Sequence, residues 1–524
     1  MVKKYLTYSI LTGLLLGLSW PTYGITILVF FGFVPLLSLE KLIRKKSLIK
    51  IFLFSFLSFF IWNTIATWWL VYSTFIGMAF AILLNCLLMS IIFTSYSFVS
   101  RKTDIKLSVI YWLSAWIVFE KFHLNWEFSW PWLNLGNVFS EKILWIQWYE
   151  YTGVFGGTLW VLIVNYFFFS LFEYWKKNNR INTKILSFSV LSLSIPIIIS
   201  MFLYNSQKDD IDFVEASVLQ PNIDPYLEKY GKTNISIFED FKELVNSNIE
   251  PFDIIIAPET YFSESPGYPV EGFEYSPFIM ALKSYLNVKN KSNLLSGIQF
   301  YQIYYDEVNK TKSSNLLRDS IWIDFFNSSF FLAEENKPQI YHKSKLVPGV
   351  EIIPYKNILE PLLGNALINF GGTVSTRGTQ NKREVFTMNN GTKLAPIICY
   401  ESVYGEYVSE YVRNGAQFLA IITNDGWWSE SQGYKQHLSY AKIRSIETRR
   451  SIARSANTGS SAIINKKGEI IDKLEYNKRG VLNGKIGLSN VLTFYVKYGD
   501  IIFRFSLFFF LIIFLFSISK KKNY

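Results

Sequence analysis

The chain has very few of the side chains that form disulfide bonds or bind metal ions: two cysteines and three histidines among 524 residues. The two cysteines could form a disulfide only with each other, and Cys86 lies in a long apolar segment far from Cys399, so we expect no disulfide framework. His437 has no second histidine or cysteine at the spacing that metal ligands need, so we predict neither a metal site nor a cofactor.

Charged residues are scarce as well. They make up 18% of a chain that is half hydrophobic, with a mean hydropathy of +0.19, and this is too apolar for a soluble protein of the same size. The net charge of +11 could suggest a nucleic-acid partner. However, much of the excess lies in short Lys/Arg clusters beside apolar spans, and no nucleic-acid-binding motif is present. We therefore predict a membrane protein that does not bind nucleic acid.

Eight apolar spans are long enough, or nearly so, to cross a bilayer as helices. They are residues 5–22, 25–40, 50–72, 76–99, 107–122, 157–174, 185–204 and 501–518. The first span could instead be a signal peptide, but it lacks a small-residue cleavage site and further apolar spans follow it.

Basic residues occur on every second loop between these spans, at residues 3–4, 41–50, 101–106, 176–184 and 520–522. The positive-inside rule places those loops in the cytoplasm. We therefore predict a membrane domain over residues 1–204 with about seven transmembrane helices, an outside domain over 205–498, and a final helix with a cytoplasmic tail over 499–524.

The loop at 123–156 is rich in tryptophan. Aromatic rings with one polar edge favour the headgroup zone, so the loop is either an arm or re-entrant piece along the outer leaflet or an ordinary interfacial belt. Glu120 and Glu127, near this level, could contact lipid headgroups, although solvated interfacial carboxylates are the more common case.

Residues 205–498 are polar overall but contain short apolar runs that read as buried strands, alternating with helical patterns at 229–248 and 436–454. The predicted strands are 213–219, 254–257, 293–297, 328–333, 395–398, 418–423 and 461–465. Strands that are apolar throughout indicate an α/β sheet covered on both faces. Arg444, Glu447, Arg450 and Arg454 are spaced along the second helical pattern, and we interpret them as a salt-bridged structural helix rather than a substrate site.

Reactive side chains follow three of these runs. Glu259 ends IIIAPE, Lys343 and Glu351 lie in YHKSKLVPGVE, and Cys399 ends LAPIIC. A carboxylate can take a thiol proton while an ammonium stabilises an oxyanion, so the three runs together suggest nucleophilic catalysis. Each residue also has an ordinary interpretation. Cys399 could be a small buried hydrophobe, Glu259 a helix cap, Lys343 one of two lysines in a basic loop, and Glu351 a solvated charge.

Several short motifs add to this pattern in the same order. They are WPW at 130–132, QPNI at 220–223, PE at 258–259, YxKxxLVP at 341–348, CYE at 399–401, and NDGWW with QH at 424–437. Together they resemble the nitrilase (carbon–nitrogen hydrolase) superfamily, and above all its membrane-embedded branch, the apolipoprotein N-acyltransferases. The resemblance covers essentially the whole chain and implies a multi-pass helical membrane domain joined to an α-β-β-α nitrilase-like sandwich.

The resemblance also implies roles for individual residues. Glu259 would be the general base, Lys343 the oxyanion-stabilising cation and Cys399 the nucleophile. Further positions that the family uses match Glu351, Tyr400, Glu401 and Tyr230. The sequence departs from the family at Tyr230, where tryptophan is usual, and at PGVE (348–351), where the family more often has PFGE.

The function implied is acyl transfer at the periplasmic face of a bacterial inner membrane. A phospholipid would donate an acyl chain to the cysteine as a thioester, and the N-terminal amine of S-diacylglyceryl-cysteine in an apolipoprotein would accept it. Besides these two substrates, we expect the protein to contact membrane lipids. We also expect it to be a monomer. The alternatives are a membrane-anchored amidase and a non-catalytic membrane scaffold with a nitrilase-like domain.

Overall fold

The computed structural model describes residues 2–226, 228, 231–247, 252–289, 292–333, 337–363 and 376–520. These residues form two compact units. The first contains the described residues of 1–71, 75–207 and 498–524, and the second contains those of 72–74 and 208–497.

The first unit is helical. Its helices are α1 (Val2–Gly17), α2 (Val34–Ile43), α3 (Leu48–Thr67), α4 (Phe75–Ser100), α5 (Ile105–His123), α6 (Tyr149–Asn178), α7 (Thr183–Ser206) and the last helix of the chain, α14 (Ile501–Ser519). Among the described residues, six helical segments are long and apolar enough to cross a membrane, namely Thr26–Ile43, Leu48–Tyr72, Phe75–Ser100, Tyr149–Asn178, Thr183–Ser206 and Ile501–Ser519. The prediction of a multi-pass helical membrane part is therefore confirmed.

Two of the eight predicted spans do not meet the same criteria of length and composition. Residues 5–22 fall largely in α1, which has only 16 residues, and 107–122 fall in α5, which carries Lys106, Glu120 and Lys121. Both segments are helical, and their crossing of the membrane stays a prediction.

The tryptophan-rich loop folds into the first unit through three short 3₁₀ turns, Pro131–Leu133, Leu135–Phe139 and Ile143–Trp145. Trp132 and Phe139 are fully buried, whereas Trp126 and Trp145 are partly exposed. Glu120 is also buried. Its carboxylate is satisfied there, because it accepts hydrogen bonds from the Leu135 N–H at 2.8 Å and the Thr158 hydroxyl at 2.7 Å. Neither expectation for Glu120, a headgroup contact or a solvated charge, is correct.

The second unit contains two β-sheets. The strands of the larger sheet are β1 (Phe213–Gln220), β2 (Ile254–Ile256), β3 (Tyr268–Pro269), β4 (Asn293–Tyr304), β5 (Asn315–Arg318), β6 (Ile321–Leu332), β7 (Gln339–His342) and β14 (Gly480–Gly487). They lie in the order β14-β1-β2-β4-β6-β5, with β3 beside β4 and β7 beside β6. Strands β1, β2 and β4 run parallel, while β4, β6 and β7 are antiparallel neighbours.

The smaller sheet contains the remaining strands. They are β8 (Phe386–Thr387), β9 (Lys393–Ile398), β10 (Phe418–Thr423), β11 (Ile452–Ala456), β12 (Ala462–Ile464) and β13 (Ile470–Lys473), in the spatial order β13-β12-β11-β10-β9-β8. Because β9, β10 and β11 are parallel, their carboxyl ends meet at one edge of the sheet.

Helices pack against the two sheets. The helices of this unit are α8 (Asn234–Ser247), α9 (Pro277–Val288), α10 (Lys356–Leu363), α11 (Gly405–Arg413), α12 (Gln432–Thr448) and α13 (Phe494–Tyr498). Side chains such as Val218 and Ile256 from the larger sheet share one core with Ile397 and Ile421 from the smaller sheet, and α11 and α12 pack on that core. A second core lies between the larger sheet and α8 with α9. The predicted α-β-β-α sandwich is confirmed.

All seven predicted strands coincide with strands of the structure, although β4 and β6 are much longer than the apolar runs that signalled them. The helix predicted over 436–454 is wrong at its end. It stops at Thr448, where Arg449 adopts a left-handed conformation, and the chain then enters β11. Arg454 is therefore a strand residue, whereas Arg444 and Glu447 form the expected ion pair on α12, at 3.1 Å and fully buried.

Candidate active site

The structure brings together three of the side chains that the sequence singled out. Glu259 follows β2, Lys343 follows β7, and Cys399 follows β9 directly, so the larger sheet supplies two of them and the smaller sheet the third. All three are buried, with 6%, 1% and 8% of their surface exposed. A buried arrangement strengthens every charge interaction among them, because little water is present to screen it.

Glu259 is held on both of its carboxylate oxygens. Oε1 accepts a hydrogen bond from Lys343 Nζ at 2.9 Å, and Oε2 accepts one from the Asn424 backbone N–H at 3.1 Å. The segment that carries Glu259 lies directly against β4 at Gly297, where a Cβ would come within 2.3 Å of the Thr260 nitrogen. A larger residue than glycine at 297 would therefore displace the carboxylate.

Lys343 lies between two carboxylates. Its Nζ is 2.9 Å from Glu259 Oε1 and 2.9 Å from Glu351 Oε2. Burial alone would lower the pKa of Lys343, but the charges of Glu259 and Glu351 outweigh it and raise the pKa well above its usual value. Lys343 is therefore charged at physiological pH, and it contacts Glu351, the other charged residue that the sequence singled out in the same motif.

Cys399 begins a 3₁₀ turn, Cys399–Val403, with a left-handed φ of 51°. This conformation costs a residue with a side chain about 1–3 kcal/mol, and such strain is concentrated at functional sites. Burial raises the pKa of the Cys399 thiol, and the carboxylate of Glu259 raises it further, while Lys343 opposes both. The thiol is therefore protonated in the resting protein.

Glu401, two residues after Cys399, is fully buried and ties the site segments together. One oxygen accepts hydrogen bonds from the Ser344 N–H at 2.7 Å and the Tyr341 hydroxyl at 2.7 Å, and the other accepts one from the Ile398 N–H at 2.9 Å. The carboxylate thus bridges the chain beside Lys343 to the chain before Cys399. Tyr400 is also buried, with its ring centroid 5.3 Å from that of Tyr404.

A second buried cluster lies behind Cys399 and was not predicted as a unit. His437 Nδ1 lies 3.0 Å from Asp425, and His437 Nε2 lies 3.3 Å from the Cys399 carbonyl oxygen and 3.0 Å from the Ser402 hydroxyl. Arg454 donates to the other oxygen of Asp425. Although burial would raise it, the charges of Arg454 and His437 hold the pKa of Asp425 at about 2.

Asn327, in the middle of β6, was also missed. Its amide nitrogen donates to Glu259 Oε1 at 2.8 Å and to Glu351 Oε1 at 2.7 Å. The DFFNSSFF run around it resembles any strand with a few polar residues, so no local signal could have singled it out. The NDGWW and QH motifs, by contrast, did mark the chain around Asp425 and His437.

Two residues beyond Lys343, the Nζ of Lys345 lies 4.8 Å from the centroid of the Tyr404 ring. Tyr230, for which the resemblance implies a role, lies outside the described residues, so that role stays a prediction.

Two family models match the chain. The model described as the apolipoprotein N-acyltransferase N-terminal domain matches residues 12–167, and the carbon–nitrogen hydrolase model matches residues 316–493. The second match includes Lys343 and Cys399 but begins after Glu259, whose place in the site rests on the contacts given above.

Two named relatives match almost the whole chain. A protein from Chlorobaculum tepidum named apolipoprotein N-acyltransferase is 27% identical over 518 residues, which cover 96% of this chain and 94% of the relative. The Thermotoga maritima protein of the same name is 24% identical and covers 95% of this chain and 91% of its own. A solved amidase of the nitrilase superfamily from Nesterenkonia AN1 aligns with 54% of this chain and 93% of its own at 12% identity, with a TM-score of only 0.33.

The order of the two matched regions, a membrane part followed by a carbon–nitrogen hydrolase part, is the same as the order of the two units in the structure. The chain thus contains both of these regions, and it is similar along almost its whole length to proteins named apolipoprotein N-acyltransferase.

Proposed function

We propose that this protein transfers an acyl chain from a phospholipid to the N-terminal amine of an S-diacylglyceryl-cysteine on an apolipoprotein, through a thioester on Cys399. The observation that carries the proposal is the buried pair of Glu259 and Lys343, 2.9 Å apart, beside a cysteine that is held at a strained turn. This set provides a base, a fixed cation and a nucleophile in a chain with six membrane-competent helices.

In the first half-reaction, Cys399 Sγ attacks the ester carbonyl carbon of the phospholipid while its proton moves to Glu259. The thiol is protonated at rest, so attack and proton transfer must be coupled. Collapse of the tetrahedral intermediate breaks the ester C–O bond, and Glu259 returns the proton to the leaving glycerol oxygen. The products are a lysophospholipid and the acyl thioester.

Lys343 supplies the positive charge that the tetrahedral intermediate requires. Its ammonium has three N–H groups, and Glu259 and Glu351 are contacted by two of them, so one can point to the oxyanion. The carboxylates keep the ammonium charged and fix its position before the substrate arrives. Preorganised charge of this kind is commonly the largest contribution to catalysis of acyl transfer.

In the second half-reaction, the amine nitrogen of the acceptor attacks the thioester carbonyl carbon and loses a proton to Glu259. The C–S bond breaks, Sγ takes up the electron pair, and Glu259 returns the proton to it. The result is an amide on the acceptor and the free thiol of Cys399, ready for another cycle.

The test is a reaction of the purified protein with a phospholipid labelled in its acyl chain and a synthetic diacylated lipopeptide, followed by mass spectrometry. We expect hydroxylamine-labile acyl label on the peptide that contains Cys399, followed by label in amide linkage at the lipopeptide N-terminus. A Cys399→Ala variant is the control. Release of the label as free acid in the presence of the lipopeptide, with no amide formed, would refute acyl transfer in favour of hydrolysis.

We further propose that the second unit lies on the periplasmic side and that the protein acts there as a monomer. The basic clusters at residues 41–50, 101–106 and 176–184 support this orientation, because they alternate with loops that have few or no basic residues. Cys86 and Cys399 are both buried, so a Val308→Cys variant adds one accessible thiol at a position that is 91% exposed. An impermeant maleimide should label it in intact spheroplasts, and labelling only after lysis would contradict the orientation.

A further inference from the structure

Asn327 hydrogen-bonds to three charged residues of the site, namely Glu259, Lys343 and Glu351. Its backbone carbonyl accepts a hydrogen bond from the Lys343 N–H at 2.8 Å, and its side-chain nitrogen donates to both Glu259 and Glu351. One residue on β6 therefore contacts three charged residues that belong to two separate segments of the chain. It is itself buried, with 6% of its surface exposed.

The chemistry of the contacts fixes the orientation of the amide. Nδ2 lies 2.8 Å from one carboxylate oxygen and 2.7 Å from another, and only the NH₂ end of an amide can donate to both. The Oδ1 end has no hydrogen-bond partner among the described residues. A buried acceptor without a hydrogen bond destabilises the fold. The asparagine is therefore better explained by the two hydrogen bonds that its nitrogen donates than by a contribution to stability.

The two carboxylates compete for the same cation. Glu259 Oε1 and Glu351 Oε1 both lie within 3.0 Å of Lys343 Nζ, and two negative charges this close repel each other. A neutral double donor between them stabilises both ionised groups without adding charge. It also keeps Glu259 Oε1 occupied, which directs the proton from the Cys399 thiol to Oε2, the oxygen that accepts from the Asn424 N–H.

We propose that Asn327 is a positioning residue for the acyl-transfer reaction: it clamps Glu259 and Glu351 around Lys343 and keeps the base ionised. This inference rests on the proposed function. Through Asn327, the larger sheet fixes the relative position of the segment that carries Glu259 and the segment that carries Lys343 and Glu351.

The proposal predicts a change in pH dependence as well as in rate. Without the donor, the ionised carboxylates lose charge-assisted hydrogen bonds, so the base becomes protonated at higher pH. For Asn327→Leu we expect thioester formation to fall at least about tenfold at neutral pH, and the acid limb of its pH profile to move up by about one pH unit. Asn327→Asp, which places a third carboxylate in the cluster, should move the limb further in the same direction.

Other titratable groups near Asn327 need to be considered in that profile. Those facing the cluster are Glu259, Lys343, Glu351 and Cys399, with Asp425 behind Cys399 and His342 on the neighbouring strand. His342 contacts Ser328 at 2.7 Å, and burial lowers its pKa to about 4. Because His342 stays neutral through the neutral range, it does not produce the expected shift.

The experiment measures acylation of Cys399 by labelled phospholipid across pH for the wild type, Asn327→Leu, Asn327→Asp and a control, Asn293→Leu. Asn293 is similarly buried, at 5% exposed, and lies on the adjacent β4, but within the described part of the chain its side chain hydrogen-bonds only to the backbone of Asp253 and Asn389. The control should lose stability and keep the wild-type pH profile. Size-exclusion chromatography and thermal unfolding in detergent report the fold of each variant.

Lower amplitude with an unchanged acid limb in both Asn327 variants would show a structural role only and overturn the inference. Loss of the folded state in both variants would also overturn it, since Asn327 would then be a residue of the core. If the wild type itself forms no thioester, the proposed function fails, and that outcome is distinct from a failure of the Asn327 variants alone.

Discussion

Replacing Lys343 with methionine would test its two roles in the site, which are to balance the charges of two carboxylates and to stabilise the oxyanion. Lys343 is 1% exposed, and its Nζ lies 2.9 Å from each of two carboxylates, Glu259 and Glu351. Methionine has a similar length and no charge, so the variant leaves these carboxylates facing each other without a cation. Removing one partner from a buried ion pair costs about 3–5 kcal/mol, a large part of the stability of a typical domain.

The same substitution removes the proposed oxyanion donor. Loss of one such donor typically slows acyl transfer by about a hundredfold to a thousandfold, so Lys343→Met should show almost no burst of thioester formation. The matched control is Lys345→Met. Lys345 contacts the face of Tyr404 at 4.8 Å, an interaction of about 0.5–1 kcal/mol at such a site, so the control should retain most of the activity and stability.

A double variant, Lys343→Met with Glu351→Gln, separates the two effects. It removes one of the two facing charges, so we expect it to be more stable than Lys343→Met while remaining inactive. Thioester formation by Lys343→Met within tenfold of wild type, or an equal defect in Lys345→Met, would refute the assigned role. A double variant no more stable than the single one would refute the charge argument.

Three other predictions address the remaining residues of the site. Cys399→Ser should keep the fold and carry no acyl label from phospholipid, because a hydroxyl with a much higher pKa is poorly activated in a site built for a thiol; label in ester linkage on the introduced serine would contradict this. Because burial and then Glu259 raise the pKa of the Cys399 thiol, alkylation by iodoacetamide near neutral pH should be slower than that of a free cysteine and should increase steadily with pH. Glu259→Gln should speed that alkylation while slowing thioester formation, and equal alkylation rates would show that the carboxylate does not influence the thiol. Glu401→Gln places an NH₂ group against the N–H donors of Ser344 or Ile398, so we expect a loss of about 1–3 kcal/mol in thermal unfolding and slower acylation, because the bridge between the chain beside Lys343 and the chain before Cys399 is weakened; unchanged stability would show that the bridge is not needed.

The sequence was sufficient to predict the positions of Glu259 and Cys399, since each follows a short apolar strand. Lys343 follows β7, whose sequence QIYH gives no apolar run, and only the YxKxxLVP motif marked it. Strands that are buried on both faces give continuous apolar runs, and the polar residue that ends such a run marks the edge of a sheet. The strand predictions located these edges well but underestimated β4 and β6, whose outer halves contain partly exposed and polar side chains. Periodicity detects burial, so it is silent where a strand leaves the core.

Contacts that depend on how separate segments come together could not be predicted. Asn327 lies in the interior of β6, and only the pairing of β6 with β7 places it beside Lys343. Arg454 was expected on a helix because its spacing from Arg450 fits one, but the parallel pairing of β11 with β10 overrides that local pattern and turns it toward Asp425. Glu120 was expected in water because the residues around it in the sequence do not show that the Leu135 N–H and the Thr158 hydroxyl will donate hydrogen bonds to it.

The charges of the site account for the protonated state of its nucleophile. Burial, Glu259 and Asp425 raise the pKa of the Cys399 thiol, and Lys343 opposes them. Asp425 is paired with Arg454, whereas Lys343 is shared by Glu259 and Glu351, so these last three charges sum to a net negative charge before the thiol ionises. A free thiolate would add a second uncompensated charge in a buried site. If the proton instead moves to Glu259 as the C–S bond forms, the carboxylate becomes neutral at the moment the negative charge appears on the substrate oxygen. The net charge of the site then stays constant through the reaction, and its only change is a shift of one negative charge from Glu259 to an oxyanion that Lys343 can hold.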